Sequence, residues 1–189
     1  MIDSLINKDI ELLIYLNNLG SIQWDGFWLI LTNKFSAVPL YLVLLYFTFK
    51  QFGFKKTMIS LIFIALLITV SDQTSNLFKY GFKRLRPCHD ESVVHLLRSV
   101  QERCGGLYGY FSAHAANSMA IAVFFSFILK MKYKIFTVIL IVWALLVAYS
   151  RVYIGVHYPL DITTGILFGL LYGTLFSMLL KVFSKKFIR

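Results

Sequence analysis

The segment from Ile135 to Val152, IFTVILIVWALLVAYSRV, decides the class of this protein. It contains no charged residue before Arg151, so it forms an apolar helix long enough to cross the hydrocarbon core of a bilayer. The whole chain is similarly apolar, because 58% of its 189 residues are hydrophobic, 15% are charged and the mean hydropathy is +0.71. These values exclude a soluble globular domain and indicate an integral membrane protein.

Four other segments have the length and the apolar character of membrane spans. The first runs from Trp24 to Phe49 and is interpreted as one helix with a broken start, because Asn33, Lys34 and Pro39 interrupt it. The remaining three are Thr57 to Phe78, Ala115 to Leu129 and Leu160 to Val182. The sequence therefore predicts an all-α fold, a multi-pass transmembrane helical bundle of about five spans in one domain covering residues 1–189.

Residues 1–22 precede the first span and are too charged to cross a membrane. Asp3, Lys8, Asp9 and Glu11 occur among Ile and Leu residues at helical spacing. This pattern predicts an amphipathic helix that lies on the membrane surface. The segment lacks the basic start and apolar middle of a signal peptide, so we expect the N-terminus to be retained.

The positions of the cations predict the orientation of the bundle. Ten Lys and Arg residues, with no acidic residue beside them, lie at one side: Lys50, Lys55, Lys56, Lys130, Lys132, Lys134, Lys181, Lys185, Lys186 and Arg189. We expect this side to be cytoplasmic, because cytoplasmic helix ends accumulate Lys and Arg. The other nine of the 19 cations are matched by nine Asp and Glu residues. The net charge of +10 therefore reflects membrane orientation and gives no case for nucleic-acid binding.

The long polar loop, residues 80–113, is then predicted to lie on the outer side. It contains both cysteines, Cys88 and Cys104, which either form a disulfide in an oxidising compartment or remain free thiols. Five further cations of the loop region are either contacts for a large anionic group or solvated side chains: Lys83, Arg84, His89, Arg98 and Arg103.

The junction between the fourth and fifth spans carries the sharpest chemical pattern. It reads Ser150-Arg151, five residues, His157, three residues, Asp161. In a helical turn after His157, Asp161 at i+4 faces the imidazole, holds a proton on one ring nitrogen and leaves the other nitrogen free to attack. Arg151 offers a planar, charged fork that can hold two phosphate oxygens. The alternative is a purely structural network that ties two helices together.

Two more polar clusters are predicted on the same side of the membrane. Lys79 and Arg86 would share one helical face and bind an anion together if the helix continues to Pro87. Ser112 and His114 precede the third span, where free backbone N–H groups and a hydroxyl can point at an oxyanion. By itself, the first cluster is more typical of a basic helix end that meets lipid headgroups, and the second of a plain N-cap.

Together, the three clusters resemble the signatures of the type 2 phosphatidic acid phosphatase superfamily, K-x6-R-P, P-S-G-H and S-R-x5-H-x3-D. The first signature is matched by Lys79, Arg86 and Pro87. The third is matched by Ser150, Arg151, His157 and Asp161. The second departs from the family pattern, since Phe111 replaces its Pro and Ala113 its Gly, while Ser112 and His114 remain.

The resemblance implies a phosphatase in which His157 attacks phosphorus, Asp161 orients His157, and His114 protonates the leaving oxygen and later activates water. It implies that the phosphoryl oxygens are bound by Lys79, Arg86, Arg151 and Ser112. No cofactor or metal is expected. Ser150 is carried over as a supporting residue. Asp72 is interpreted either as balancing one of the phosphate-binding cations or as an interhelical hydrogen-bonding residue.

The resemblance also implies that the substrate is a lipid phosphate. The expected partners are this substrate and membrane lipids. The expected location is the bacterial inner membrane, with the site facing the periplasm or the cell exterior. An isoprenyl diphosphate such as undecaprenyl diphosphate, or a glycerophospholipid phosphate, is the first interpretation, and a lipid A phosphatase is the alternative. An inactive protein that binds or transports lipid phosphates is the alternative of another class.

Overall fold

The computed structural model describes residues 2–98, 100, 101, 104–129 and 134–187. Within these ranges the chain forms six α-helices: α1 (Ile2–Asn18), α2 (Ile22–Thr32), α3 (Val38–Phe82), α4 (Ala113–Ile128), α5 (Ile135–Tyr153) and α6 (Pro159–Phe187). Two short 3-10 helices, Pro87–His89 and Val94–Leu96, lie between α3 and α4. The predicted all-α fold is confirmed. Of the predicted cations, Arg103, Lys130, Lys132 and Arg189 lie outside the described residues.

The first half of the chain differs from the predicted single broken helix. After α2 the side chain of Asn33 accepts a hydrogen bond from the Phe35 N–H at 2.9 Å, and the Ser36 hydroxyl donates to the Asn33 carbonyl at 2.7 Å. These bonds form a turn that competes with helix continuation, so α2 and the start of α3 are separate elements. α2 packs on α5, where Trp28 contacts Tyr149 and Tyr153.

α3 contains a break that divides it into two consecutive spans. Its 45 residues would extend about 68 Å as one straight helix, roughly twice the thickness of a hydrocarbon core. Gly53 interrupts it with φ 76° and ψ 177°, a conformation that glycine adopts without strain. Tyr41 and Ile68, at similar distances before and after the break, line one cavity, so residues 38–52 and 54–82 run side by side.

Three helices of the described chain, α3, α5 and α6, are long and apolar enough to cross a membrane, and α4 is apolar but has 16 residues. α4 lies at the centre of the bundle, against α5 and α6. The predicted spans correspond to the two parts of α3 and to α4, α5 and α6.

α6 approaches α4 closely along a row of three glycines, Gly165, Gly169 and Gly173. A Cβ atom at these positions would lie 2.6, 2.5 and 2.6 Å from backbone carbonyl oxygens of α4 and its N-cap: Ser112, Ala116 and Ala120. Side chains larger than hydrogen are therefore excluded, and the two backbones pack directly on each other. This contact places the beginning of α4 beside the beginning of α6.

The N-terminal segment is helical as predicted, and one face of this helix packs on the rest of the bundle. α1 buries a stripe at i, i+4 and i+8 consisting of Asp9, Leu13 and Asn17, which are 4%, 0% and 0% exposed. Leu13 packs in a cluster with Val152 and Tyr158. Asp9 thus belongs to the buried face of α1 and not to its solvated face.

The two ends of the bundle are named here for later use. The loop end comprises α1, α2, residues 83–112 and the turn between α5 and α6. The Gly53 end comprises the break in α3 and the far end of α6, where Phe52, Lys56, Leu180 and Lys181 line one small cavity.

Candidate active site

His157 and Asp161 form a buried pair at the loop end. The Nδ1 atom of His157 lies 3.3 Å from Oδ2 of Asp161, and the two residues are 2% and 0% exposed. The same carboxylate oxygen accepts the N–H of Tyr158 at 3.0 Å, which holds Asp161 in the first turn of α6. When the Nδ1–H group of His157 donates to the Asp161 carboxylate, the Nε2 atom of His157 carries the free lone pair.

A tight turn places His157 beside Arg151. α5 ends at Tyr153, and Gly155 has φ 71°, a conformation that favours glycine. The carbonyl of Arg151 accepts the N–H groups of Val156 and His157 at 3.1 and 3.3 Å. The two functional side chains of the third signature are therefore held together by their own backbone.

Three cations surround the imidazole of His157. Nη1 of Arg86 lies 3.4 Å from its Nε2 atom. Burial lowers the pKa of His157 well below its usual value, and the nearby charges of Arg86, Arg151 and Lys79 lower it further. His157 is therefore neutral at physiological pH, as a nucleophilic imidazole must be.

Arg151 has unused hydrogen-bonding capacity in this site. It is 8% exposed, and one Nη atom donates to the hydroxyl of Thr32. Its Nε atom is buried and has no hydrogen-bond partner among the described residues. Buried donors are nearly always paired, so this atom marks a position where an anion can bind.

Lys79 and Arg86 converge on the site, but not along one helix as predicted. α3 ends at Phe82, and Lys83 has φ 51°, so the chain leaves the helix before Arg86. A short antiparallel contact brings Arg86 back, because its N–H donates to the Leu107 carbonyl at 3.0 Å and Gly109 N–H donates to the Arg84 carbonyl at 2.9 Å. Lys79 lies within electrostatic range of Arg86, Asp161 and Arg151.

A disulfide joins Cys88 and Cys104 next to this contact. The guanidinium of Arg86 donates to the carbonyls of Tyr108 and Cys104 at 3.3 and 3.5 Å. Backbone acceptors at the disulfide and in the segment just after it therefore orient Arg86 towards His157.

The second signature forms the N-terminus of α4. Ser112 is its N-cap, with the hydroxyl accepting the Ala115 N–H at 3.5 Å, and its own N–H donates to the Asp161 carbonyl at 3.1 Å. The hydroxyl of Ser112 is fully buried at this position. His114 follows one residue into α4 and lies within electrostatic range of His157, Arg151, Arg86 and Lys79.

The departure of this signature at Phe111 has a packing explanation. The Phe111 ring is fully buried and stacks on Phe168 with ring centroids 4.7 Å apart. Its carbonyl accepts the hydroxyl of Ser75 at 2.9 Å. An aromatic contact with α6 and a hydrogen bond to α3 thus fix the entry to α4 where the family pattern has Pro.

The two supporting residues differ in their contacts. Oδ1 of Asp72 accepts the side-chain amide of Asn117 at 2.8 Å, an interhelical hydrogen bond, and Asp72 is also within electrostatic range of Lys79. Ser150 does not reach the site, because its hydroxyl donates to the Val147 carbonyl within α5 at 2.7 Å. The resemblance predicted a supporting role for Ser150, but its hydroxyl forms a hydrogen bond within its own helix.

Two residues that the sequence patterns did not connect with the His157–Asp161 pair contact it, one directly and one through a single partner. Arg84, predicted as a headgroup contact or a solvated side chain, lies 3.1 Å from Oδ1 of Asp161 and 2.6 Å from Oδ2 of Asp9. The i, i+4, i+8 spacing of Asp9, Leu13 and Asn17 could have indicated a buried face of α1, but nothing in that spacing identifies Arg84 as the partner of Asp9. Among the described residues, no group of three or more His, Cys, Asp or Glu side chains is arranged to hold a metal ion.

Comparison with known proteins gives the family. The PAP2 superfamily matches residues 57–185. The lipid A 4'-phosphatase of Bacteroides thetaiotaomicron is 36% identical over 169 residues, covering 88% of this chain and 74% of the relative. The lipid A 4'-phosphatase of Porphyromonas gingivalis is 33% identical over 159 residues, covering 82% of this chain and 66% of the relative.

A solved structure shares the fold. The crystal structure of the PAP2-type phosphatidylglycerolphosphate phosphatase of Bacillus subtilis superimposes with a TM-score of 0.72 at 19% identity, covering 98% of this chain and 89% of that one. The named relatives are bacterial and the helices span a membrane. These two lipid A 4'-phosphatases agree better with the alternative substrate, lipid A, than with the first interpretation, an isoprenyl diphosphate or a glycerophospholipid phosphate. The chain belongs to the PAP2 superfamily and is a bacterial membrane phosphatase that acts on lipids.

Proposed function

We propose that this protein hydrolyses a phosphate ester on the sugar headgroup of a lipid A-type glycolipid, through a phosphohistidine formed on His157. The observation that carries the chemistry is the buried His157–Asp161 pair, whose free nitrogen faces Arg86 and lies beside a buried Arg151 Nε without a partner. A neutral nucleophile and unpaired cationic donors meet there at one point.

In the first step, Nε2 of His157 attacks phosphorus, so that a P–N bond forms and the P–O bond to the sugar breaks. Once the substrate's phosphate lies among the cations around His157 and offsets their charge, His114 holds a proton, and it donates this proton to the departing sugar oxygen. In the second step, His114 takes a proton from water, the water oxygen attacks phosphorus, and the P–N bond breaks to release inorganic phosphate. Asp161 stabilises the charge on the imidazole while the intermediate exists.

The protein's own cations neutralise the phosphoryl charge in this proposal. Lys79, Arg86 and Arg151 converge on His157 from α3, the loop and α5. Arg86, which now lies against Nε2, would turn to a phosphoryl oxygen when the substrate enters. The hydroxyl of Ser112 adds a fourth donor. These donors do the work of metal ions in other phosphoryl-transfer sites, so we expect activity in the presence of a chelator.

A cavity of about 320 Å³ beside His114 supports a sugar as the leaving group. Its polar lining includes Asn33, Lys34, Asp72 and Asn117. A sugar hydroxyl freed at His114 can hydrogen-bond with these amide and carboxylate groups. The names of the two relatives point in the same direction.

Two features support an active site that faces the periplasm or the cell exterior. The site lies at the loop end, whereas Lys56 and Lys181 lie at the Gly53 end, and basic residues mark the cytoplasmic side of membrane helices. The disulfide lies beside the site, and disulfides persist in oxidising compartments.

The test is phosphate release by detergent-purified protein in EDTA. The substrates are diphosphoryl and monophosphoryl lipid A, undecaprenyl diphosphate and phosphatidylglycerophosphate. We expect release from lipid A by the wild type and by His95→Ala, a matched change at an exposed loop histidine, and none by His157→Ala. Mass spectrometry of acid-labile phosphate on His157 checks the intermediate.

The outcomes separate the substrate from the chemistry. Release that depends on His157, but from undecaprenyl diphosphate or phosphatidylglycerophosphate alone, would overturn the glycolipid assignment and leave the mechanism standing. A folded wild-type protein that releases no phosphate from any substrate would overturn the enzymatic proposal in favour of lipid-phosphate binding or transport.

A further inference from the structure

The first helix of the chain contacts the last helix through one buried carboxylate. Oδ1 of Asp9 accepts the backbone N–H of Leu160 at 2.8 Å, and Oδ2 accepts a hydrogen bond from Nη2 of Arg84 at 2.6 Å. Leu160 is the second residue of α6, where backbone N–H groups have no partner within the helix. Asp9 therefore caps α6 from a helix that lies 151 residues away in sequence.

Arg84 extends this contact to the catalytic pair. Its Nη1 atom donates to Oδ1 of Asp161 at 3.1 Å. Its guanidinium lies over the ring of Tyr158, with Cζ 3.8 Å from the ring centroid, and the Tyr158 hydroxyl donates to Asp90 at 3.1 Å. A guanidinium fork that binds two carboxylates and stacks on an aromatic ring has little freedom to move.

We propose that Asp9 and Arg84 are positioning residues for the His157–Asp161 pair, and that α1 consequently contributes to the active site through Asp9. This inference rests on the proposed function, because it assigns a role in the same reaction. The order of contacts is Asp9, Arg84, Asp161 and His157, and each link is a hydrogen bond between charged or ionisable groups.

The geometry explains why Asp161 needs this support. Its carboxylate is fully buried, and one oxygen is occupied by His157 and the N–H of Tyr158. The other oxygen has Arg84 as its partner. A buried carboxylate without a countercharge is costly and tends to take up a proton, and a protonated Asp161 would no longer orient His157 as a hydrogen-bond acceptor.

Anchoring α1 does not by itself require a charge at position 9. Leu13 is fully buried, and Asn17 donates to the Tyr153 carbonyl and accepts the Arg98 N–H, both at 2.7 Å. Burial raises the pKa of Asp9, against the opposing effects of Arg84 and Leu160. A carboxylate placed in this position at a desolvation cost is better explained by its action on Arg84 than by attachment of the helix.

The charges predict opposite effects for the two residues on the protonation of His157. Ionisable groups face His157 from each element around it: Lys79 from α3, Arg86 from the loop, His114 from α4, Arg151 from α5 and Asp161 from α6. Asp9→Asn leaves the positive charge of Arg84 less compensated, so His157 takes up a proton at lower pH. Arg84→Gln removes a positive charge, so His157 takes up a proton at higher pH.

The experiment compares wild type, Asp9→Asn, Asp9→Glu and Arg84→Gln by kcat, KM and the pH dependence of kcat/KM. In the wild type we expect the acid limb of the profile below pH 6.5, the usual value for His, because the cations hold His157 neutral. We expect kcat to fall about 10- to 100-fold in Asp9→Asn and Arg84→Gln with little change in KM. The acid limb should move to lower pH in Asp9→Asn and to higher pH in Arg84→Gln, and Asp9→Glu should return it towards the wild type.

Two controls separate positioning from folding. Glu11→Gln changes an exposed charge on the same helix and should match the wild type. Leu13→Ala weakens the packing of α1 without touching the polar contacts, so it should lower the melting temperature and leave the pH profile in place. If Leu13→Ala and Asp9→Asn lose activity equally with unchanged profiles, Asp9 is only a structural anchor and the inference is wrong.

A titration that requires no substrate keeps this test independent of the proposed function. The imidazole of His157, followed by NMR in detergent micelles with labelled histidine, should show the same opposite displacements in Asp9→Asn and Arg84→Gln. An inactive wild type would contradict the proposed function, while identical His157 titrations in all variants would contradict the positioning by Asp9 and Arg84.

Discussion

The two ends of the bundle are stabilised by different kinds of contact. Each of the three Arg–Asp ion pairs among the described residues lies at the loop end, as do the His157–Asp161 pair and the disulfide. At the Gly53 end, buried hydroxyls such as those of Thr48 and Ser60 donate to carbonyls of their own helix. The contacts between helices there are mostly apolar, with the ammonium of Lys181 over the ring of Phe127. Packing is sufficient where the bundle only has to fit the bilayer, whereas directional polar contacts occur where atoms must be held in place for chemistry.

The largest effect should follow from exchanging one cation for another at the loop end. Arg151→Lys keeps the charge but removes the fork and the buried Nε donor, so we expect kcat/KM to fall about 10²- to 10³-fold with the fold retained. Steady-state phosphate release and a melting curve measure the two quantities. Lys181→Arg, the reciprocal exchange at the Gly53 end, should change neither the rate of phosphate release nor the melting temperature. Equal activity of the two variants would contradict this difference between the two ends.

Loss of the disulfide should have the next largest effect. Cys88 and Cys104 close a loop with a sequence separation of 16, and removal of a crosslink of this size costs about 3 kcal/mol of stability. Cys88→Ser/Cys104→Ser should therefore unfold at lower temperature and bind substrate more weakly, because Arg86 is oriented by this loop. Dithiothreitol should reproduce both changes in the wild type and add nothing in the double variant; an unchanged KM would show that Arg86 does not depend on the disulfide.

A smaller loss of stability is expected where the two ends meet, at the contact between α4 and α6. Gly169→Ala places a Cβ about 2.5 Å from the Ala116 carbonyl oxygen, so the helices must separate, at a cost of about 1–3 kcal/mol. Gly81→Ala, in α3, meets nothing within 4 Å and should be neutral or slightly stabilising. Thermal unfolding followed by tryptophan fluorescence compares the two; equal melting temperatures would refute direct backbone packing along the glycine row.

The smallest effect should distinguish two buried hydroxyls. Ser75→Ala removes the 2.9 Å hydrogen bond to the Phe111 carbonyl on another element, and we expect a loss of about 1 kcal/mol. Thr48→Val removes a bond to the Leu44 carbonyl of the same helix turn, and the expected change is within about 0.5 kcal/mol. A loss at Thr48 as large as that at Ser75 would mean that polar contacts matter equally at both ends.

Local patterns in the sequence predicted those structural features that depend on residues close together in the chain. The spacing of His157 and Asp161 was sufficient because both lie in one turn, where i and i+4 must face each other. The apolar runs predicted the spans because the bilayer imposes their length. The basic segment around Gly53 predicted a reversal of the chain there, although not the backbone conformation that produces it.

Contacts between distant parts of the chain were not predictable in the same way. Arg86 reaches His157 through a loop pairing with Leu107 and not through the helix that its spacing from Lys79 indicated. The glycine row of α6 repeats every four residues, a signal of close helix packing that did not name α4 as the partner. The charge of Asp9 predicted a solvated position, because nothing local to α1 identifies Arg84 or Leu160 as its partners.

The contact between Asp9 and Leu160 also has a consequence for biosynthesis. The ribosome synthesises α1 first, and its partner on α6 follows 151 residues later. At ordinary translation rates, the carboxylate of Asp9 waits for roughly 10–30 s before the backbone N–H that it caps has been made. The catalytic pair is thus completed only when α6 has been made, because a truncated nascent chain that lacks α6 contains His157, Arg84 and Asp9 but not Asp161, the residue through which they are linked.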